Sequence, residues 1–223
     1  MQIILDHVVK AVGCAVIMCG VPQAAVAEFS LYKNIELGKQ WEDTIGLPSY
    51  YDCSEQGLAI ACLDGHNFLN TTGSLYVVFD GERAVRVIYS SDDISLYQNA
   101  FNFFPRRGYN LVGIETTDGM LDYVALVGSS GVEAATSKLT EIESAGLSAG
   151  YVKYFLLEDA PETIYRQPNF HSAYMALPRE NRLISIAVEE TLQWVGVSIT
   201  FEASFAATQK IKQEVSNELN DDF

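Results

Sequence analysis

"GSLYVVFDGERAVRVIYSSDD", Gly73 to Asp93, holds two runs of β-branched and aromatic residues that meet at Asp80-Gly81. That dipeptide tolerates the positive φ values of a two-residue turn, so the stretch predicts a β-hairpin. The device recurs in "GYNLVGIETTDGMLDYVALVG", Gly108 to Gly128, with Asp118-Gly119 at its turn. A third antiparallel region spans Ser172 to Ala203, alternating apolar and polar residues over Leu183 to Val188 and again over Trp194 to Phe201. Its turns fall at Pro178 to Asn181 and at the Glu189-Glu190-Thr191 corner. Most strands are thus expected to pair with a neighbour in sequence.

Helical patterns lie between the hairpins. Ile35, Leu37, Trp41 and Ile45 give a loosely helical Leu31–Ile45 that Gly46 and Pro48 stop. Asp93 is placed to cap "ISLYQNAFNFF", which Pro105 ends, because proline disfavours helix in the residue before it. Ser129 or Ser130 is placed to cap a helix carrying Val132, Ala135, Leu139, Ile142 and Leu147 on one stripe. Ala203 to Leu219 puts Ala207, Ile211, Val215 and Leu219 on one face. The expected fold class is α+β, with small antiparallel hairpin sheets packed against helices. Two similar halves divided near Phe104-Pro105 (28–104 and 105–223) fit this pattern, and a single continuous sheet fits nearly as well.

The amino terminus carries a tripartite export signal. Lys10 precedes an uncharged apolar run, Ala11 to Val21, followed by Pro22 and then Ala25-Val26-Ala27, with small residues at minus three and minus one of a cut after Ala27. The run is too short for a bilayer, which needs roughly 20 residues. We therefore expect 1–27 to be a signal peptide and the remainder to be periplasmic or secreted, with no later membrane insertion. Cleavage removes Cys14 and Cys19 and leaves Cys53 and Cys62, an even count in an oxidising compartment, hence an expected disulfide.

The chain's net charge of -15 is the same with or without the leader, since Asp6 and Lys10 cancel. So acidic a chain is repelled by nucleic acid and by anionic membrane faces. The expected partner is another envelope or secreted protein, neutral or basic in character.

Chemistry-bearing motifs are sparse. A zinc site would need two ligands beyond the cysteines, and outside the leader only His66 and His171 remain as histidines. Gly128-Ser129-Ser130-Gly131 lacks both the Walker lysine and the nucleophile-elbow spacing, and reads as a helix cap. Asp64-Gly65-His66-Asn67 lacks the calcium-loop pattern and reads as a simple loop. Asn70-Thr71-Thr72 is a glycosylation sequon. No catalytic residue, metal or cofactor is assigned. A hydrolase using His171 with a serine or an acid is one alternative, and a carrier of a small apolar ligand between helix and sheet is another.

The one stretch that reads as a recognition surface is Phe101, Phe103, Phe104, Arg106, Arg107 and Tyr109. It combines aromatic residues with adjacent arginines, the usual interface anchors, in an otherwise acidic chain. Tyr50 and Tyr51, beside Cys53, form a second candidate.

Phe29, "NIELGKQWEDTIGLP" (Asn34 to Pro48), the two cysteines and "LYVVFDG" (Leu75 to Gly81) resemble the helix-glycine and three-strand pattern of BamE and beta-lactamase-inhibitory-protein-like periplasmic modules over roughly residues 29–90. Gly38 to Gly46 is about one helical turn shorter than that family's spacing. The resemblance implies a binding module without catalytic residues of its own.

Overall fold

In the computed structural model, residues 30–55, 57–191, 194–210, 212 and 213 are described. The expected signal peptide, with Cys14, Cys19 and the cut after Ala27, lies outside them, as does most of the apolar stripe of the carboxy-terminal helix. Eleven strands occur among these residues: β1 Ser30–Tyr32, β2 Ile35–Glu36, β3 Tyr51–Asp52, β4 Ala59–Phe68, β5 Thr71–Asp80, β6 Arg83–Ser91, β7 Tyr109–Thr116, β8 Gly119–Asp122, β9 Tyr151–Glu158, β10 Arg182–Glu190 and β11 Val195–Ala203. The helices are α1 Trp41–Ile45, α2 Ser95–Phe103, α3 Tyr123–Ser148, α4 Pro161–Ile164 and α5 Phe170–Met175.

β1 and β2 form a small hairpin, and the other nine strands make one sheet in the order β3-β4-β5-β6-β11-β10-β9-β7-β8. This corrects the expectation of separate small sheets. One pairing joins what the sequence suggested as two halves, and another orders the strands within the second. β11 lies antiparallel to β6, with Val87 opposite Phe201, and β9 sits between β10 and β7. β9 was not foreseen as a strand because both of its faces carry large apolar side chains. Val152, Tyr154 and Leu156 point one way and Phe155 and Leu157 the other, which blurs the period-two signal.

The register assigns the two faces. Ala61, Val77, Val87, Phe201, Ile184 and Leu156 stand in one cross-strand row, all buried in the main core. The next row, Cys62, Tyr76, Ile88, Thr200, Ser185 and Phe155, lies on the opposite face. The main-core face is covered by the β1–β2 hairpin, α1, α2 and α3. On the other face, among the described residues, α4, α5 and the first turn of α3 cover one end, where Val112, Val124, Leu157, Ile164, Ala173, Leu177 and Leu183 form a second cluster.

Both aspartate-glycine turns form as expected, with Gly81 at φ 59° and Gly119 at φ 128°. β8, however, is only four residues long, and "YVALVG" after it is helical. Asp122 is the reason: its carboxylate accepts from the Ala125 amide at 2.9 Å and starts α3 there. Ser129 and Ser130 therefore sit inside α3, donating back to carbonyls of the preceding turn, and the helix breaks at Gly131 (φ 81°, ψ 165°). The Leu31–Ile45 helix is also corrected. Lys33, at φ 50°, turns β1 into β2, and only Trp41–Ile45 is helical. Asp64-Gly65-His66-Asn67 belongs to β4, at a bulge opposite β5. Ser172 to Met175, read with the strands, instead forms most of α5.

Cys53 and Cys62 are joined by a disulfide across nine positions. No helix among the described residues is long and apolar enough to cross a membrane.

Candidate functional site: the arginine cleft

α2 buries Leu96 and Ala100, which are fully enclosed, and leaves Asn99, Asn102 and Phe103 toward one side. The helix ends where the sequence predicts, and Pro105–Arg107 makes a single 3-10 turn. That turn is tightly held. The Phe104 carbonyl accepts from the Arg107 amide (2.9 Å) and from the Tyr109 amide (3.2 Å), and Gly108 reverses the chain at φ 85°, ψ 12°. Phe104 and Tyr109 are both buried and meet edge to face at 5.3 Å, so the two ends of the turn are anchored in the core. Burial holds the Tyr109 phenol well above its usual range, and the Arg182 guanidinium opposes this.

Across from this turn is the two-residue connection Leu69–Asn70 between β4 and β5, with φ values of 50° and 63°. The Asn99 carboxamide donates to the Leu69 carbonyl at 2.9 Å and fastens the connection to α2. Between the two turns lies a cleft of about 380 Å3, whose walls are Leu69, Asn70, Asn99, Asn102, Phe103, Arg106 and Arg107. No carboxylate among the described residues lines it.

Arg106 and Arg107 are exposed. Arg107 lies over the Phe103 ring at 4.9 Å, and neither guanidinium is paired with a carboxylate among the described residues. Other arginines do have acid partners: Arg86 bonds Glu202, and Arg182 makes a two-pronged pair with Glu158 at 2.8 and 3.0 Å. The fold thus divides the six residues singled out in the sequence. Phe104 and Tyr109 are core, while Phe103, Arg106 and Arg107 line the cleft.

Phe101 belongs elsewhere. It packs on Tyr97 and Tyr154 at 5.0 and 4.7 Å, in a cluster where both phenols donate to Glu143 Oε1, at 2.8 and 2.6 Å. Burial pushes the Tyr97 hydroxyl up to about 12 and the Tyr154 hydroxyl higher still. Phenols that hold their protons are donors and not bases, so this cluster cross-links α2, α3 and β9.

Tyr50 and Tyr51 separate from the cleft. Tyr50 packs against the main core, and burial raises its phenol, whereas Tyr51 is exposed and donates to Asp64 at 2.7 Å. Tyr51 pairs with Cys62, which lies on the sheet face opposite α2.

His171 is exposed on α5 and makes no hydrogen bond to a serine or an acid among the described residues. His66 Nε2 is met by the Tyr32 hydroxyl at 3.0 Å and by Lys33 Nζ at 3.1 Å; burial, and then the lysine charge, lower its pKa. No group of three or more histidine, cysteine, aspartate or glutamate side chains suited to a metal occurs among the described residues.

Sequence reading missed the amide side of the cleft. Asn99 and Asn102 stand three apart, hence on one helical face, directly before the arginine pair; that spacing is the signal that would have found them. Asn70 drew notice only as a sequon. Comparison with known proteins gives no matching family model, curated protein or solved structure, so the reading of the cleft rests on its own geometry.

Proposed function

We propose that the chain is an exported binding module that grips a partner protein of the envelope or the secreted fraction through the arginine cleft. Two exposed guanidinium groups without acid partners among the described residues, beside an aromatic ring on a rigid turn, carry this reading. Aromatic residues and arginine are enriched at interfaces, and arginine is among the residue types most often found at energetic hot spots. The disulfide, the export-type leader and the likeness to periplasmic binding modules support it. The mechanism is presentation: the cleft is ordered before the partner arrives, so little conformational entropy is lost on association.

The test is affinity capture from the cell's own envelope or secreted fraction, with the wild-type chain and the double variant Arg106→Glu, Arg107→Glu run side by side. The expected result is a defined partner held by the wild type and lost by the variant, with the variant's thermal midpoint unchanged because both side chains are exposed. Equal recovery with both chains would remove the cleft from the binding surface.

A further inference from the structure

We infer that the ligand of the cleft is a carboxylate carried on a polypeptide, an aspartate or glutamate side chain or a chain terminus. This rests on the cleft being the binding surface. Three features of the wall point to that chemistry.

The first is the pair of guanidinium groups. Arg107 lies over Phe103, so its face is covered while its N–H edge remains available, and a planar N–H edge is what a carboxylate bonds. The second is the set of carboxamides on Asn70, Asn99 and Asn102. Each offers a donor and an acceptor, the complement that a peptide main chain requires. A free sulfate would use only donors, and a free phosphate would use an acceptor only for its remaining hydroxyl. The third is the setting. The chain carries a net charge of -15, so its long-range field repels an incoming anion in proportion to the anion's charge. A singly charged carboxylate meets about half the repulsion that a doubly charged phosphate does. The volume of about 380 Å3 accommodates one side chain with its flanking backbone and not a large folded surface.

The experiment titrates the full soluble chain, followed by the backbone, carboxamide and arginine Nε resonances of the cleft, with four probes. These are the blocked peptide acetyl-Ala-Leu-Glu-Leu-Ala-amide, its Gln counterpart, the Gln peptide with a free carboxyl terminus, and inorganic phosphate. The inference expects shifts at Asn99, Asn102 and Arg107 with at least one carboxylate peptide, and none with the blocked Gln peptide. Which carboxylate peptide binds identifies side chain or terminus. Arg107→Ala should weaken that binding by about tenfold or more, and Arg107→Lys should restore only part of it, because lysine keeps the charge but not the fork.

Equal binding of the blocked Glu and Gln peptides overturns the inference. So does binding of phosphate with all peptides inert, or no response to any probe. These results are independent of the capture experiment. A partner released by the arginine variants while the carboxylate peptides stay inert leaves the binding surface standing and removes the carboxylate.

Discussion

Two glycines of α3, on either side of its break at Gly131, make opposite predictions for one substitution. Gly146 lies where α3 meets β7 and β9. A Cβ built there comes 2.5 Å from Val152 Cγ2, 2.6 Å from Thr116 Cγ2 and 2.9 Å from the Tyr151 carbonyl oxygen. Two of these are β-branched side chains, stiff at χ1, and the third is backbone, so none yields cheaply. Gly128, exposed in the same helix before its break, has nothing within 4 Å of its Cβ position. Gly128 stands in the last turn before the break at Gly131, so alanine there should stabilise by about 0.5 kcal/mol or less, under the helix-interior preference over glycine. Alanine at Gly146, in the last turn of the second segment, gains as little from propensity and loses about 1–3 kcal/mol to overpacking, for a net loss of about 1–2 kcal/mol. Both variants restrict the unfolded chain equally, so that contribution cancels when they are compared. The expected gap is about 1–2.5 kcal/mol, which at a slope of about 2 kcal/mol per molar separates their urea midpoints by roughly 0.5–1.2 M. Finding Gly146→Ala at least as stable as Gly128→Ala would refute the close packing of α3 on the sheet.

Removing the Cys53–Cys62 bridge by Cys53→Ala with Cys62→Ala should lower unfolding free energy by about 2.5–3 kcal/mol in the chain-entropy picture, with the sheet retained by circular dichroism. Unchanged stability under reductant would mean that the crosslink does not constrain the unfolded chain. Asp122 caps α3 and also accepts the Phe170 amide, at 3.0 and 2.8 Å, before α5. Asp122→Ala should therefore cost about 2–3 kcal/mol in denaturant titrations, and Asp122→Asn, which keeps one acceptor oxygen, distinctly less. His66 is held neutral by burial and by Lys33, so its folded pKa lies below the unfolded value of about 6.5. Its contribution is complete above that unfolded value and is lost as pH falls through the lower folded one. The pH dependence of the thermal midpoint should flatten in His66→Gln relative to wild type. Identical profiles would contradict the Tyr32–His66–Lys33 contact.

What the sequence made legible was local. Asp80-Gly81 and Asp118-Gly119 name their own turns, Pro105 ends its helix, and Leu183 to Val188 alternates because, among the described residues, α4, α5 and the first turn of α3 cover the far face only at one end. What it hid was long-range. β6 finds β11 from across the chain, and no turn residue marks such a pairing. β9 is apolar on both faces because one faces the main core and the other the second cluster, and β7 reaches it only across β8 and the 26 residues of α3. Asp122 reads locally as the tail of a hairpin strand, but its carboxylate starts a helix, a competition that strand propensity in "YVALV" does not reveal. The site followed the same division. The arginine pair and its aromatic neighbours stand adjacent in sequence and were visible. Leu69 and Asn70 enter only because β4 and β5 end beside α2.

The division of Phe103 to Tyr109 also explains how an acidic chain keeps two cations poised at a pocket. Long arginine side chains each carry about 2 kcal/mol of rotamer entropy, which a ligand must overcome before any bond contributes net affinity. Here the backbone part is fixed in advance, because Phe104 and Tyr109 are buried on either side of the turn and the Phe104 carbonyl holds both Arg107 and Tyr109. Stacking on Phe103 orients one guanidinium as well. Pairing either arginine with one of the chain's many carboxylates would have been simple for so acidic a composition. Among the described residues their neighbours are an aromatic ring and carboxamides instead, which leaves their hydrogen-bonding edges available and sets no negative charge beside them.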